Sequence, residues 1–202
     1  MYIPKINLET NQDEIIAFMK QFSFATIITA KDNTPVATHL PFLITQKEDV
    51  VLLTSHFAKA NEQWKHIEES EVLVIFAEPL AYISTENYST ELEVPTWNYI
   101  AIHTYGKGKL ISEIDKTFEI LEATIDNYEA SFKQKWNSFP DEYKLKMVKG
   151  IVAFEVRITN IQAKKKLSQN KTDSEKEKII KTLSKSTNTN EIMIANYMRK
   201  EL

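Results

Sequence analysis

Cysteine is absent from the 202 residues, and glycine occurs only three times, at Gly106, Gly108 and Gly150. The first absence excludes disulfides, thiolate metal sites and cysteine nucleophiles, and it fits a cytosolic protein. The second excludes two common nucleotide folds. A Rossmann fingerprint and a P-loop both need several glycines at fixed spacing, so that backbone N–H groups can approach a phosphate. The elbow G-x-S-x-G of serine hydrolases is excluded in the same way. Any phosphate-bearing ligand must therefore be held by side chains, strand ends or a helix N-terminus. No apolar run approaches the length needed to cross a bilayer, and the leading MYIPKINLETNQDE lacks the basic and apolar regions of a signal peptide. His39, His56, His66 and His103 show neither HxH nor HxxxH spacing, so no metal site is expected.

What is present suits one domain, or one domain with a small appendage. Hydrophobic residues make up 43% of the chain and charged residues 26%, enough for a packed core. The net charge of −3 is unevenly spread: residues 144–202 carry 14 Lys+Arg against 6 Asp+Glu. That excess reads either as a solvated helical tail or as an anion-facing end suited to nucleic acid.

Periodicity predicts mostly antiparallel strands. A helix over residues 10–22, capped by Thr10, precedes FATIITA, the turn KDNTP and the returning strand VATHLPFLIT, which Pro41 interrupts. VVLLTS, EVLVIFAE, LAYIS, the long stretch Trp97–Ile111 and IVAFEVRIT complete six or seven strands. Such a meander closes naturally into a small barrel without exposed edges. A short helix is expected over 59–67, and a loop with a short helix over 136–150. Ser112 and Asp115 have capping-box spacing ahead of an amphipathic helix. Two further helices are expected at about 173–183 and 190–200. Residues 1–163 are thus read as the barrel domain and 164–202 as a basic helical C-terminal segment, with KKKLSQNKT as the polar stretch between them.

Four clusters carry potential chemistry. In LLTSHFAKANEQW, Ser55, His56 and Lys59 gather where a strand gives way to a helix, which suits a phosphate; the alternative is a plain cap by Ser55 beside a surface lysine. His39, in THLPFL, either bonds a strand neighbour or lines a cavity. Trp97, Tyr99, His103 and Tyr105 share one strand face and Asn98 the other, so this strand suits a flat heteroaromatic ligand, a dimer interface or the core. Ser168, Gln169 and Asn170 either hold an anion or belong to a solvated linker.

Seven blocks occur in order: MYIP, FATIIT, THLPF, SHFAKANEQW, VIFAEPLAYIS, VPTWNY…HTYG and KKLSQNK. Together they resemble the PaiB family of FMN-binding negative transcriptional regulators, over about residues 1–183. The resemblance implies a mainly β fold with flanking helices: a six- to seven-stranded antiparallel split β-barrel of the FMN-binding type, with a helical C-terminal appendage. It implies FMN as cofactor, homodimers with FMN at the subunit interface, and repression of protease and sporulation genes. It places Ser55, His56, Lys59 and Asn61 by the FMN phosphate and ribityl chain, and Thr38 and His39 on the barrel wall beside the flavin. Thr96, Trp97 and Asn98 would come from the partner subunit or close the ring pocket, with Ser168, Gln169 and Asn170 near the same interface. Departures are Lys59 and Glu62 where relatives commonly carry Arg and Pro, and Lys171 in place of Arg; lysine keeps the charge but loses the bidentate fork.

The expected function is that of a cytoplasmic FMN-binding regulator. The alternatives are an FMN-dependent oxidoreductase and a haem-binding split barrel. No catalytic residue is singled out. No helix-turn-helix is evident, so direct sequence-specific DNA contact is not expected and regulation is read as indirect.

Overall fold

The computed structural model describes residues 1–202, and the chain divides into two compact units. In chain order the strands and helices are β1 (Leu8–Glu9), α1 (Gln12–Gln21), β2 (Phe24–Lys31), β3 (Thr34–Pro41), β4 (Leu43–Lys47), β5 (Val50–Ala58), β6 (Glu71–Phe76), β7 (Leu80–Ile83), β8 (Thr96–Ile111), α2 (Ile114–Tyr128), α3 (Lys133–Ser138), α4 (Asp141–Lys149), β9 (Ile151–Lys166), α5 (Asp173–Leu183) and α6 (Thr189–Lys200). No helix is long and apolar enough to cross a membrane.

The larger unit spans residues 16–76 and 103–161. Its strands run in the order β3-β2-β6-β8-β9-β5-β4. Two tight hairpins set the register. Asp32 and Asn33, both at positive φ, join β2 to β3, where Lys31 faces Thr34. Glu48 at φ 53 turns β4 into β5, where Lys47 faces Val50. Alternation along β5 buries Val51, Leu53, Ser55 and Phe57. Phe57 stacks on Phe154 with ring centroids 4.7 Å apart, and Phe42 meets Phe154 and Phe76 edge-on at 6.2 Å. Two of the three glycines sit where β8 is crowded. A Cβ at Gly106 would lie 2.4 Å from the Arg157 carbonyl oxygen, and one at Gly108 would lie 2.5 Å from that of Ile67.

The smaller unit comprises residues 1–15, 77–102 and 162–202. In it β7 pairs with the start of β8, Tyr82 facing Trp97, and β1 pairs with the end of β9. Helices α5 and α6 bury Ile179, Ile194, Ala195 and Met198. Thr172 and Glu175 form a reciprocal capping box on α5. Lys165 joins Glu9 at 2.7 Å and Glu201 at 3.1 Å, tying the N-terminal segment and the end of α6 to β9. The buried Tyr88 hydroxyl has no hydrogen-bond partner; its ring lies 3.8 Å from the Lys171 ammonium, which also pairs with Glu93 at 2.8 Å.

Several expectations are corrected. The strand path is open, with β3 and β4 as its edges, so the edge-free closure suggested by the meander does not occur. The returning strand is interrupted at Pro41 as expected, but its halves prove to pair with different neighbours, β2 and β5. Asn11, rather than Thr10, caps α1, accepting from the Asp13 and Glu14 N–H groups at 3.0 and 3.3 Å. Glu113 stands at the N-cap of α2, so Ser112 and Asp115 make no capping box. Lys164, Lys165 and Lys166 are strand residues of β9 rather than part of a linker, because their charges find partners there.

Glu175 generates a pH prediction. Its carboxylate accepts from the Ser89 N–H (2.8 Å) and from the Thr172 N–H and hydroxyl (3.1 and 3.0 Å), which holds its pKa down at about 2. A depressed carboxylate stabilises the fold above the unfolded-state pKa, and that contribution fades as pH falls toward the folded value. Glu175→Gln is expected to lower the melting temperature at pH 7. The gap to the parent should shrink steadily below about pH 4.5. Thermal unfolding across pH 2–7, followed by circular dichroism, measures it.

Candidate functional site

In the larger unit the site residues lie at the end of β5, on the turn that follows, and on β3. The strand does not give way to a helix at Ser55. It runs on to Ala58, because Phe57 and Ala58 continue the ladder opposite Val152 and Ile151. The expected helix over 59–67 is a 3₁₀ turn, Glu62–His66, capped by the Asn61 side chain on the Gln63 N–H. Five residues are too few to set up the helix-end field inferred from sequence, so any anion here must meet side chains.

A buried amide organises this region. Gln63 is 3% exposed. Its Nε2 donates to the Val36 carbonyl at 3.0 Å and to that of Ile27 at 3.3 Å. Its Oε1 accepts from the Thr38 hydroxyl at 2.6 Å, and that hydroxyl accepts in turn from Asn61 Nδ2 at 2.9 Å. Thr38 and Asn61 are therefore brought together, with the Thr38 proton committed inward and one Asn61 N–H left over. Lys59 follows directly. Its N–H bonds Gly150 and its carbonyl accepts from the Trp64 indole, while its exposed ammonium has no partner. His56 faces away from Ser55 and Phe57, and burial pushes its imidazole below the ordinary range. It is thus neutral at pH 7 and offers a hydrogen bond rather than a charge.

Ser55 and His39 are engaged elsewhere. The buried Ser55 hydroxyl donates to the Pro41 carbonyl at 2.7 Å. The exposed His39 ring shares a 2.9 Å hydrogen bond with Thr26 and stacks on Phe24, centroids 6.5 Å apart.

In the smaller unit, Asn98 is fully buried. It accepts from the Ser168 hydroxyl at 3.1 Å, and its amide nitrogen lies 3.5 Å from the Met198 sulfur. Ser168 adopts φ 60, and Gln169 braces the same turn through the Leu167 N–H and the Lys165 carbonyl. Asn170 is exposed. Thr96 accepts from the Lys166 ammonium. Trp97, 50% exposed, packs edge-on against Tyr82 at 5.6 Å, and Lys164 lies 5.1 Å from the Tyr99 ring. This ribbon keeps Asn98 inside and offers Tyr82 and Trp97 outside, as alternation requires.

Sequence reasoning missed Gln63, Lys164 and Lys166 as organising residues. Gln63 sits in a turn too short for any periodic signal. The lysines looked like solvated charge because nothing local showed that strand β9 continues through them.

A model of the family described as "Putative FMN-binding domain" matches residues 1–160. The chain belongs to that family. FMN is the cofactor of this family of domains. The chain is 40% identical over its full length to 98% of "Protease synthase and sporulation protein PAI 2" of Bacillus subtilis. It is 25% identical, over 89% of each chain, to the uncharacterized protein AN0679 of Emericella nidulans. Among solved structures, the flavocytochrome Anf3 from Azotobacter vinelandii superposes with a TM-score of 0.63 over 81% of this chain and 72% of its own, at 15% identity. The FAD and heme binding protein from Mycobacterium smegmatis gives 0.62 over 79% and 73%, also at 15%. These two likenesses are of fold, and with them the split-barrel expectation holds.

Gln63→Leu is expected to destabilise the protein by about 1–3 kcal/mol, because it removes the side-chain donor to the Ile27 and Val36 carbonyls and the buried acceptor of the Thr38 hydroxyl. Urea unfolding of the variant beside the parent measures the loss.

Proposed function

We propose that this chain binds FMN as a homodimer and acts in the cytoplasm as a negative transcriptional regulator. The carrying observation is the 40% identity along the whole chain to the Bacillus subtilis protein named for protease synthesis and sporulation, within a family whose domain is named for FMN.

The residues present fit a flavin phosphate. Lys59 supplies an unpaired cation, Asn61 an unused amide N–H and His56 a neutral donor within one short stretch. Those are the donor types a phosphate accepts from when no glycine-rich loop is available. Lys59 would hold the charge of the phosphate, Asn61 would orient it, and Gln63 would keep Asn61 in place through Thr38. FMN, when bound, supplies one- and two-electron chemistry. Two features support a dimer. Edge strand β3 is exposed or half-exposed along its whole length, with Val36 41% exposed, and the neighbouring Phe24 is 69% exposed.

Direct DNA reading has less support. Much of the basic excess of residues 144–202 is spent internally: Lys165 on Glu9 and Glu201, Lys171 on Glu93, Lys176 on Asp173, and Arg199 on Asn196 and Ser184. Exposed Lys178, Lys181 and Lys185 remain for phosphate contacts, which position a protein without reading sequence.

Lys59→Ala is expected to weaken FMN binding about 10- to 100-fold, the range of one charge-assisted hydrogen bond, and His56→Ala to weaken it less. Flavin fluorescence titration measures both; a Lys59→Ala variant that binds as tightly as the parent would remove the phosphate assignment. Because burial keeps His56 neutral, it should add no pH dependence to FMN affinity between pH 7 and 8. In a gel-shift at moderate salt, a candidate promoter and a shuffled fragment should be retained equally, and preference for the promoter would replace indirect regulation with direct reading. Steady NAD(P)H oxidation with added FMN would instead make the protein an oxidoreductase.

A further inference from the structure

Edge strand β4 pairs on one side only. In the two-residue hairpin, Lys47 and Val50 close a hydrogen-bonded pair, so bonding toward β5 falls on Lys47, Thr45 and Leu43. Phe42, Ile44 and Gln46 therefore turn their backbone groups to the outer edge. At Phe42 the chain satisfies that edge itself: its N–H donates to the Ser23 carbonyl at 2.8 Å and its carbonyl accepts from the Tyr128 hydroxyl at 3.3 Å. At Ile44 and Gln46 the outward N–H and C=O groups have no protein partner, since β4 pairs with β5 alone.

The free groups of Ile44 border a groove of about 520 Å³, just short of Gln46, whose other walls are Lys20 of α1, Ser23 after it, and Ala123, Asp126 and Asn127 from α2. Its floor is apolar: Phe42 is buried, and Ile44 is 7% exposed. Its charge is one-sided. Asp126 is neutralised by Lys133 at 3.1 Å, whereas the exposed Lys20 has no ion-pair partner.

The geometry points to an acidic peptide segment that binds in extended conformation, adding a strand along the free edge of β4. Free backbone pairs two residues apart match the repeat of another strand and of no compact small molecule. The Phe42 position shows the same edge already satisfied by chain from outside the strand. Lys20 selects a carboxylate, and the apolar floor takes the alternate side chains.

The test uses a fluorescein-labelled, acetylated hexapeptide of alternating Val and Glu, with a Val-Lys peptide as control, in anisotropy titrations of the full chain. The Val-Glu probe should bind and the Val-Lys probe should not. Gln46→Pro, which removes an outward N–H and no β4–β5 bond, and Lys20→Glu should each weaken binding by about tenfold or more. Circular dichroism should show both variants folded, and the Ile44 and Gln46 amide resonances of the parent should shift on binding. No binding up to millimolar protein, or binding untouched by both folded variants, overturns the proposal. So does competition by free glutamate as strong as that of unlabelled peptide, which would make this a small-carboxylate site. Sedimentation that changes on Gln46→Pro also overturns it, by assigning the edge to a second copy of this chain.

Discussion

The side-chain amide of Gln63 holds together parts of the larger unit that the backbone ladder alone leaves loose. Strand β3 has β2 as its one strand neighbour, and the stretch from Lys59 to His66 is irregular apart from one 3₁₀ turn. Gln63 reaches the carbonyls of Ile27 and Val36 on both of those strands, and through Thr38 it fixes Asn61. Inside a protein each such bond is stronger than in water, and each unmade one is correspondingly costly. Thr38 and Asn61 thus owe their positions to a residue that makes no claim to touch a ligand.

The smaller unit uses ionic contacts where the larger one uses an amide. Lys165 gathers Glu9 and Glu201, and Lys171 joins Glu93 while covering the Tyr88 ring. Burial makes such pairs expensive to break singly, although their net worth over apolar replacements is small. They specify where the termini lie more than they add stability. The basic C-terminal third, which in the linear sequence looks like a charged surface, is in good part internal wiring.

The sequence disclosed the elements well and the contacts poorly. Alternation located every long strand, and α5 was expected at the residues where it occurs, although the capping box that starts it went unread. The family resemblance, carried by blocks such as SHFAKANEQW, indicated the fold. Periodicity could not show that Pro41 divides one apparent strand between two partners, since pairing is a non-local choice. It also could not show that β9 runs on through three lysines, since the carboxylates and aromatic rings they meet are distant in sequence. Site residues were legible as chemical types. Which of their hydrogens are free, as for Thr38 against Asn61, depends on Gln63 and is invisible in one dimension.

The chain enters each unit more than once, changing from one to the other within α1, after β6, within β8 and within β9. No single cut separates the two units: any fragment that keeps the larger one whole also carries residues 77–102 of the smaller. Such a pair cannot be shuffled by gene fusion as separable modules can, and a truncation at any one point removes sequence from the smaller unit at least. The two units are therefore expected to be inherited, lost and varied together, with diversity among relatives entering by substitution and loop insertion rather than by exchange of domains.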